Sequence, residues 1–266
     1  MASLHGKVYI MPSQYKLRPS ASARFLQCSK SLEYNDGFTE SIHTIKGNLI
    51  HEVISLELYQ IFKNKSYAKK IQSLKENGLK SKNDPKLHAL WDNDCEETTR
   101  NAISYARKVV EHYKPQEIHI EVMLPCTFYG NKMNGKVDFL LLSEDLVVVI
   151  DWKTGRGKVE TEDNTQMLLY AYAVVQDIAS QGKPIPSRVI ISVNQSIIYN
   201  VKAVKYTLKQ MLKWYKDQSE QMYKINRNLL EYKPSEEACK YCQYKAKCAA
   251  RIRAGIIAWS STQRQP

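Results

Sequence analysis

Two carboxylates and a lysine are spaced in a way that suits hydrolysis of a phosphodiester. One carboxylate closes Gly135-Lys136-Val137-Asp138, and the other opens Asp151-Trp152-Lys153-Thr154-Gly155 after the apolar run Leu146 to Ile150. Two antiparallel strands joined by Ser143-Glu144-Asp145 would set Asp138 and Asp151 at neighbouring positions on a sheet. Carboxylates that close repel each other and raise each other's pKa unless a divalent cation lies between them. Lys153 follows Asp151 by two residues, so on a strand it shares the same face. A Mg2+ or Mn2+ ion in such a set lowers the pKa of an attacking water and neutralises phosphate, while the ammonium positions that water and offsets developing charge. An isolated Asp-x-Lys is common by chance and is ordinarily a solvated strand end, so the motif needs company.

Some company is present. Asp151 emerges at the C-terminal end of a strand that is apolar throughout, where sites of α/β sheets collect. Gln166 and Tyr170 are four apart on a following helix and share a face, an amide and a phenol able to contact phosphate or orient Lys153. His51 interrupts an otherwise apolar helix face in Gly47-Asn-Leu-Ile-His51-Glu52. A lone histidine there is more often a satisfied core residue than a ligand.

A third group is thiol-based. Cys239-x2-Cys242-x5-Cys248 offers three thiols within ten residues, and a fourth ligand must come from elsewhere. No histidine follows His119, so a local Cys3His zinc site is excluded and the fourth ligand is distant. Cys28 is the attractive choice. Cys95 and Cys126 are expected to behave as small apolar residues. Six cysteines are too few for a disulfide scaffold, and their crowding reads as metal ligation in a reducing compartment.

The ordered series His51, Asp138, Asp151-x-Lys153, Gln166-x-x-x-Tyr170 resembles the RecB-like branch of the PD-(D/E)XK nuclease superfamily. The resemblance implies a metal held by His51, Asp138 and Asp151, with Lys153 assisting the water and Gln166 and Tyr170 lining the site. Glu121, on the strand before Asp138, is an outside candidate for the metal's neighbourhood and reads equally as a strand-edge surface charge. One upstream cysteine with three downstream is similar to the iron-sulfur nucleases, the AddB-type helicase-nucleases and the CRISPR-associated RecB-like exonucleases. That likeness implies a structural [4Fe-4S] cluster on Cys28, Cys239, Cys242 and Cys248; structural Zn2+ is the alternative, because spacing does not separate the two. The stretch Pro19 to Cys28, with Gly47 to His51 following, also looks like phage-encoded members of the branch.

The chain's balance fits a polyanionic partner. Its 39 Lys and Arg against 27 Asp and Glu leave +12, and residues 201–266 hold 14 basic against 5 acidic residues. Lys205, Lys209, Lys213 and Lys216, interleaved with Trp214 and Tyr215, are candidate nucleic-acid contacts, although each alone reads as a solvated helix face. DNA, as single strands or duplex ends, is the expected partner, with a single-strand annealing protein or a helicase delivering it. No apolar run approaches the about 20 residues that span a bilayer, and the N-terminus lacks a secretory apolar core, so a cytoplasmic protein of a bacterial or phage-infected cell is expected, with no membrane partner.

These residues require an α/β scaffold, with a central mixed sheet of about five strands flanked by helices and a C-terminal cysteine-rich iron-sulfur segment. Helical periodicity marks 20–28, 47–62, 91–113, 165–181 and a long helix from Val204 to Leu230. The Lys-rich stretch 63–86, broken by Gly78 and Pro85, reads as one short helix with loops. Strands are expected at 118–124, 135–142, 146–152, 188–193 and 197–201. The division is then an N-terminal helical segment 1–46 carrying Cys28, a nuclease core 47–203, a basic helix with the cysteine cluster 204–259, and a frayed tail 260–266. The activity expected from the whole is a metal-dependent DNA exonuclease in phage or bacterial recombination, replication or repair. A structure-specific or restriction-type endonuclease is one alternative, and a non-catalytic zinc-containing nucleic-acid-binding protein is another.

Overall fold

In the structure, a computed structural model, residues 12–34, 40–240 and 242–255 are described. The expected tail 260–266 lies outside them. In chain order the helices and strands are α1 (Ser22–Gln27), α2 (Ile42–Lys63), α3 (Ala68–Asn77), β1 (Leu79–Lys80), β2 (His88–Ala89), α4 (Asn93–Tyr113), β3 (Glu117–Phe128), β4 (Asn131–Ser143), β5 (Leu146–Trp152), α5 (Thr165–Ser180), β6 (Arg188–Gln195), β7 (Asn200–Thr207), α6 (Leu208–Asp217), α7 (Ser219–Asn226), α8 (Glu236–Lys240) and α9 (Ala249–Arg253). They group into two compact units, Thr39–Leu124 with Lys136–Met211, and Met1–Phe38 with Pro125–Gly135 and Leu212–Pro266.

A five-stranded mixed sheet, in the order β3-β4-β5-β6-β7, carries the larger unit. The β4 and β5 strands are antiparallel with Phe139 opposite Ile150; β5 and β6 are parallel, and β6 and β7 antiparallel. The parallel pair needs a crossover, which α5 supplies. Strand β5 is buried at every position and α5 at ten of sixteen, as expected of a strand with both faces covered and the helix that covers one of them. One core unites Ile50, Ile54 and Leu58 of α2, Ala102 and Ala106 of α4, and Phe139, Leu141, Val148, Ile150 and Trp152 of the sheet. A smaller cluster of Leu49, Val53, Leu56 and Ile71 packs α3 on α2. Each long helix has a side-chain N-cap: Ser41 accepts from the Thr44 N–H, Asp92 from Cys95 and Asn164 from Met167.

Two expected elements are corrected. Residues 196–198 form a 3-10 turn, and the last strand runs from Asn200 to Thr207 instead of 197–201. The long helix from Val204 to Leu230 is two helices, α6 and α7, parted at Gln218. Its first turn is sheet because residues 200–207 pair along β6 as a mostly exposed strand, which has no apolar alternation to betray it. Lys205 is therefore on a strand, and Lys209, Lys213 and Lys216 are on α6, all exposed. The Lys-rich stretch holds α3 and a β1-β2 pair in which Leu79 faces Ala89.

In the smaller unit α1 packs on α8. Gln27 joins them: its amide donates to Glu237 Oε2 at 2.7 Å, and its oxygen accepts from Ser235 Oγ at 2.7 Å. Beside this joint the Lys30 N–H donates to Glu231 O, and the Glu231 N–H to Ser29 Oγ.

Candidate metal centres

The β4-β5 hairpin does what its spacing implies. The β4-β5 pairing runs to Phe139 and Ile150, and Asp138 and Asp151 are the next residues beyond that last pair. Both aspartates are buried, at 6% and 4% exposure. Asp138 Oδ2 accepts the Trp152 N–H at 2.8 Å. Burial first, and then the charge of Asp151, hold the Asp138 carboxyl well above the usual carboxylate range.

Asp151 turns toward the next helix. Its Oδ1 accepts from Gln166 Nε2 at 3.3 Å, and the same Gln166 nitrogen donates to Tyr170 Oη at 2.9 Å. Lys153 Nζ donates to Gln166 Oε1 at 3.2 Å and lies 2.8 Å from Asp151 Oδ2. That contact pairs the ammonium with Asp151 Oδ2, an oxygen shut off from solvent. A buried carboxylate oxygen needs a cation beside it, and here the Lys153 ammonium is that cation. Burial pushes the Tyr170 hydroxyl above its ordinary range, so it stays a neutral donor.

Helix α2 brings His51 to the same place, with Nδ1 3.6 Å from Asp138 Oδ2. Burial lowers the His51 pKa, which keeps the imidazole neutral and able to ligate. Strand β3 adds Glu121. One ligand atom from each of His51, Glu121 and Asp138 lies within 4.8 Å of the others, a group able to hold a metal ion. Glu121 has a left-handed backbone (φ +53°), costing on the order of 1 kcal/mol for a residue with a side chain, and it forms an ion pair with Lys136. The grouping differs from the sequence expectation in one respect: Glu121 joins His51 and Asp138, while Asp151 faces Lys153 and Gln166 across the pair. The carboxylates of Glu121 and Asp138 are donors that suit Mg2+ or Mn2+, and with the His51 imidazole they make a group able to hold a metal ion. The sequence offered Glu121 as an outside candidate for the metal's neighbourhood and equally as a strand-edge charge, because a positive φ leaves no trace in residue type.

The cysteines form a separate group in the smaller unit. Cys28 ends α1, Cys239 lies on α8, Cys242 follows it, and Cys248 precedes α9. All four line one cavity, together with Tyr34, Tyr232 and Tyr244. Tyr34 stacks on Tyr244 with centroids 3.8 Å apart, and its hydroxyl lies 2.8 Å from that of Tyr232. The Cys28 thiol points to Glu231 O at 3.8 Å. Burial pushes the Cys239 thiol up, the direction for a protein without an ion to draw off its proton. The four thiols line this one cavity, and no three of their sulfur atoms lie within 4.8 Å of one another. None of the six cysteines is in a disulfide; Cys95 and Cys126 are buried apart, their thiols pushed up to about 11 and about 12 by desolvation. Of the candidate nucleic-acid lysines, Lys205 and Lys209 fall in the larger unit and Lys213 and Lys216 in the smaller, with Lys213 paired to Asp217 at 2.7 Å. No helix among the described residues is long and apolar enough to cross a membrane.

A family model described as a protein of unknown function, DUF2800, matches residues 15–261. Among curated proteins none matches the chain. Two of the solved structures similar to it are the following. One, a protein from Eubacterium rectale named "Putative exonuclease", is 11% identical, with 91% of this chain and 94% of that chain covered and a TM-score of 0.47. The other, SSO0001, is 14% identical, with 85% and 95% covered and a TM-score of 0.33. Likenesses at these scores are too distant to bear on the chemistry of this chain.

Proposed function

Because the chain belongs to the DUF2800 family, whose description assigns no activity, we propose a function from the site itself: metal-dependent hydrolysis of DNA phosphodiesters, acting from strand ends in recombination, replication or repair. The observation that carries this reading is the buried Asp138 and Asp151, with His51 and Glu121 grouped on the first and Lys153 2.8 Å from the second. A divalent ion bound there would lower the pKa of a water and offset the charge of the phosphate. His51, Asp138 and Glu121 would hold it from one side and Asp151 from the other.

The chain's own groups then have distinct tasks. Lys153, fixed by Gln166 and Asp151, would hold its ammonium beside the attacking water and the phosphate, stabilising negative charge as the water loses a proton to solvent, its oxygen bonds to phosphorus and the P–O bond to the deoxyribose oxygen breaks. Gln166 spends its amide on three neighbours and so fixes Lys153, Asp151 and Tyr170 relative to one another. Tyr170 accepts from Gln166 and keeps its own proton to offer a phosphate oxygen. The four cysteines would hold a [4Fe-4S] cluster or a zinc ion that ties α1 to α8 and supplies folding energy to the smaller unit without entering the reaction. The exposed lysines 205, 209, 213 and 216 would meet the DNA backbone, and an annealing protein or a helicase would deliver the strand.

End-labelled linear DNA and covalently closed single-stranded circles, incubated with Mn2+ and with chelator, test the proposal. Linear strands should shorten from an end in Mn2+ only, with circles intact. Cleaved circles would replace end-dependent by internal cutting, and intact substrates of both kinds would refute hydrolysis.

A further inference from the structure

Lys153 is followed by an exposed loop, Gly155-Arg156-Gly157-Lys158, whose backbone is aimed by one buried side chain. Gln195, fully buried at the end of β6, donates from Nε2 to Gly155 O at 2.5 Å and to Gly157 O at 2.8 Å. Its oxygen accepts from the Val159 N–H and from Asn200 Nδ2, each at 3.1 Å, and Asn200 Nδ2 also donates to Val159 O at 2.9 Å. The loop is therefore held by its carbonyls.

In a trans peptide the C=O and N–H of one unit point in opposite directions, and no cis bond occurs among the described residues. The units whose carbonyls face Gln195 are completed by the N–H groups of Arg156 and Lys158. Those two amides face away from the buried glutamine, and neither donates to a backbone acceptor among the described residues. Unpaired loop amides are the groups from which anion-binding nests are built. The space beside them is open, since a Cβ on Gly155 would meet nothing within 4 Å. The flanking side chains are cations, Arg156 2.7 Å from Asp94 and Lys158 2.5 Å from Glu160, all well exposed. Pairs of that kind contribute roughly 0–1 kcal/mol and exchange readily for a better anion.

We propose that residues 155–158 cradle a backbone phosphate of the nucleic-acid strand, flanking the bond presented to Lys153, with Gln195 as the residue that positions the amides. Arg156 lies three residues past Lys153, at most about 11 Å along the chain, so the phosphate it takes is a near neighbour of the reacting one. The assignment of strand and bond rests on the nuclease reading; the anion site rests on the loop alone.

The test is fluorescence anisotropy of a labelled 20-nucleotide single strand in chelator, where metal-dependent cleavage is off, across a salt series. Arg156→Ala/Lys158→Ala should reduce the slope of log affinity against log salt by about 0.7 to 1.4, one to two phosphate contacts on a single strand. Lys82→Ala/Lys86→Ala, which removes two exposed charges of the same unit, should leave the slope near that of wild type. Gln195→Glu, which loses both amide donors but spares the cations, should weaken binding about five-fold with the slope retained. An unchanged slope in the Arg156/Lys158 variant, or an equal drop in the Lys82/Lys86 control, overturns the cradle. So does a folded Gln195→Glu protein that binds as wild type; if it does not fold, the two charge variants decide. Wild-type protein that cuts no DNA yet shows the slope difference would sink the nuclease reading and leave the cradle standing.

Discussion

Replacing Asp138 with asparagine separates the two roles of that carboxylate. Its Oδ2 accepts the Trp152 N–H at 2.8 Å, a bond an amide oxygen keeps, while the charge disappears. In the ion-free protein, burial and then Asp151 hold the Asp138 carboxyl above its usual range, so Asp138→Asn should melt at or above the wild-type temperature. Mn2+ should reverse the order. At 100 times the wild-type Kd, mass action adds about 2.7 kcal/mol. At roughly 2–4 °C per kcal/mol for a chain of this size, that raises Tm by about 5–10 °C. Losing an outer-shell partner costs about 10–100-fold in metal affinity, so a direct ligand belongs at or beyond the upper end. With a 100-fold loss the same Mn2+ adds only about 0.4 kcal/mol to the variant, near 1 °C. Thermal melts of both proteins over a Mn2+ series read the difference directly. Parallel Mn2+-dependent rises in the two proteins would refute the role given to Asp138.

Other outcomes follow from the same geometry. Because the folded pKa of Asp138 is raised, its contribution to stability is present at low pH and lost as pH climbs through that folded value; ion-free protein should therefore lose stability on this account toward neutral pH, and Mn2+ should restore more at pH 8 than at pH 5, as paired melts would show. Gly47 on α2 passes so close to Thr154 that a Cβ would lie 2.9 Å from its Oγ1, so Gly47→Ala should gain about 1 kcal/mol of helix propensity and lose about 1–3 kcal/mol to overpacking. In a Thr154→Ala background the same change should be stabilising, and a denaturant double-mutant cycle measures the difference. Cys28→Ser should lower the bound zinc or iron measured by elemental analysis and bring the melting of the smaller unit down, with wild-type metal content as the contrary result.

The sequence showed the site better than it showed its support. The hairpin carrying Asp138 and Asp151 was legible because an all-apolar strand ends at an acid and its partner lies one tight turn away, and the register follows from the turn. Helix α5 was legible from its spacing. Strand β7 was not, since an exposed strand paired along one neighbour buries too little to impose alternation, and Val204, Leu208 and Met211 at helical spacing drew the reading across its end. Glu121 was legible only as an outside candidate and Gln195 not at all: the first is placed by a left-handed backbone and the second acts through hydrogen bonds to a loop 40 residues away, and neither is a property of residue type or period.

Single-turnover cleavage of a labelled DNA strand in Mn2+, for wild type, Asp151→Asn and Lys153→Met, bears most directly on the carboxylate pair and its lysine. Wild type should cut, and each variant should lose at least about 100-fold in rate, the scale of removing one electrostatic stabiliser, while still binding the strand. Cutting at the wild-type rate by either variant would contradict the assignment.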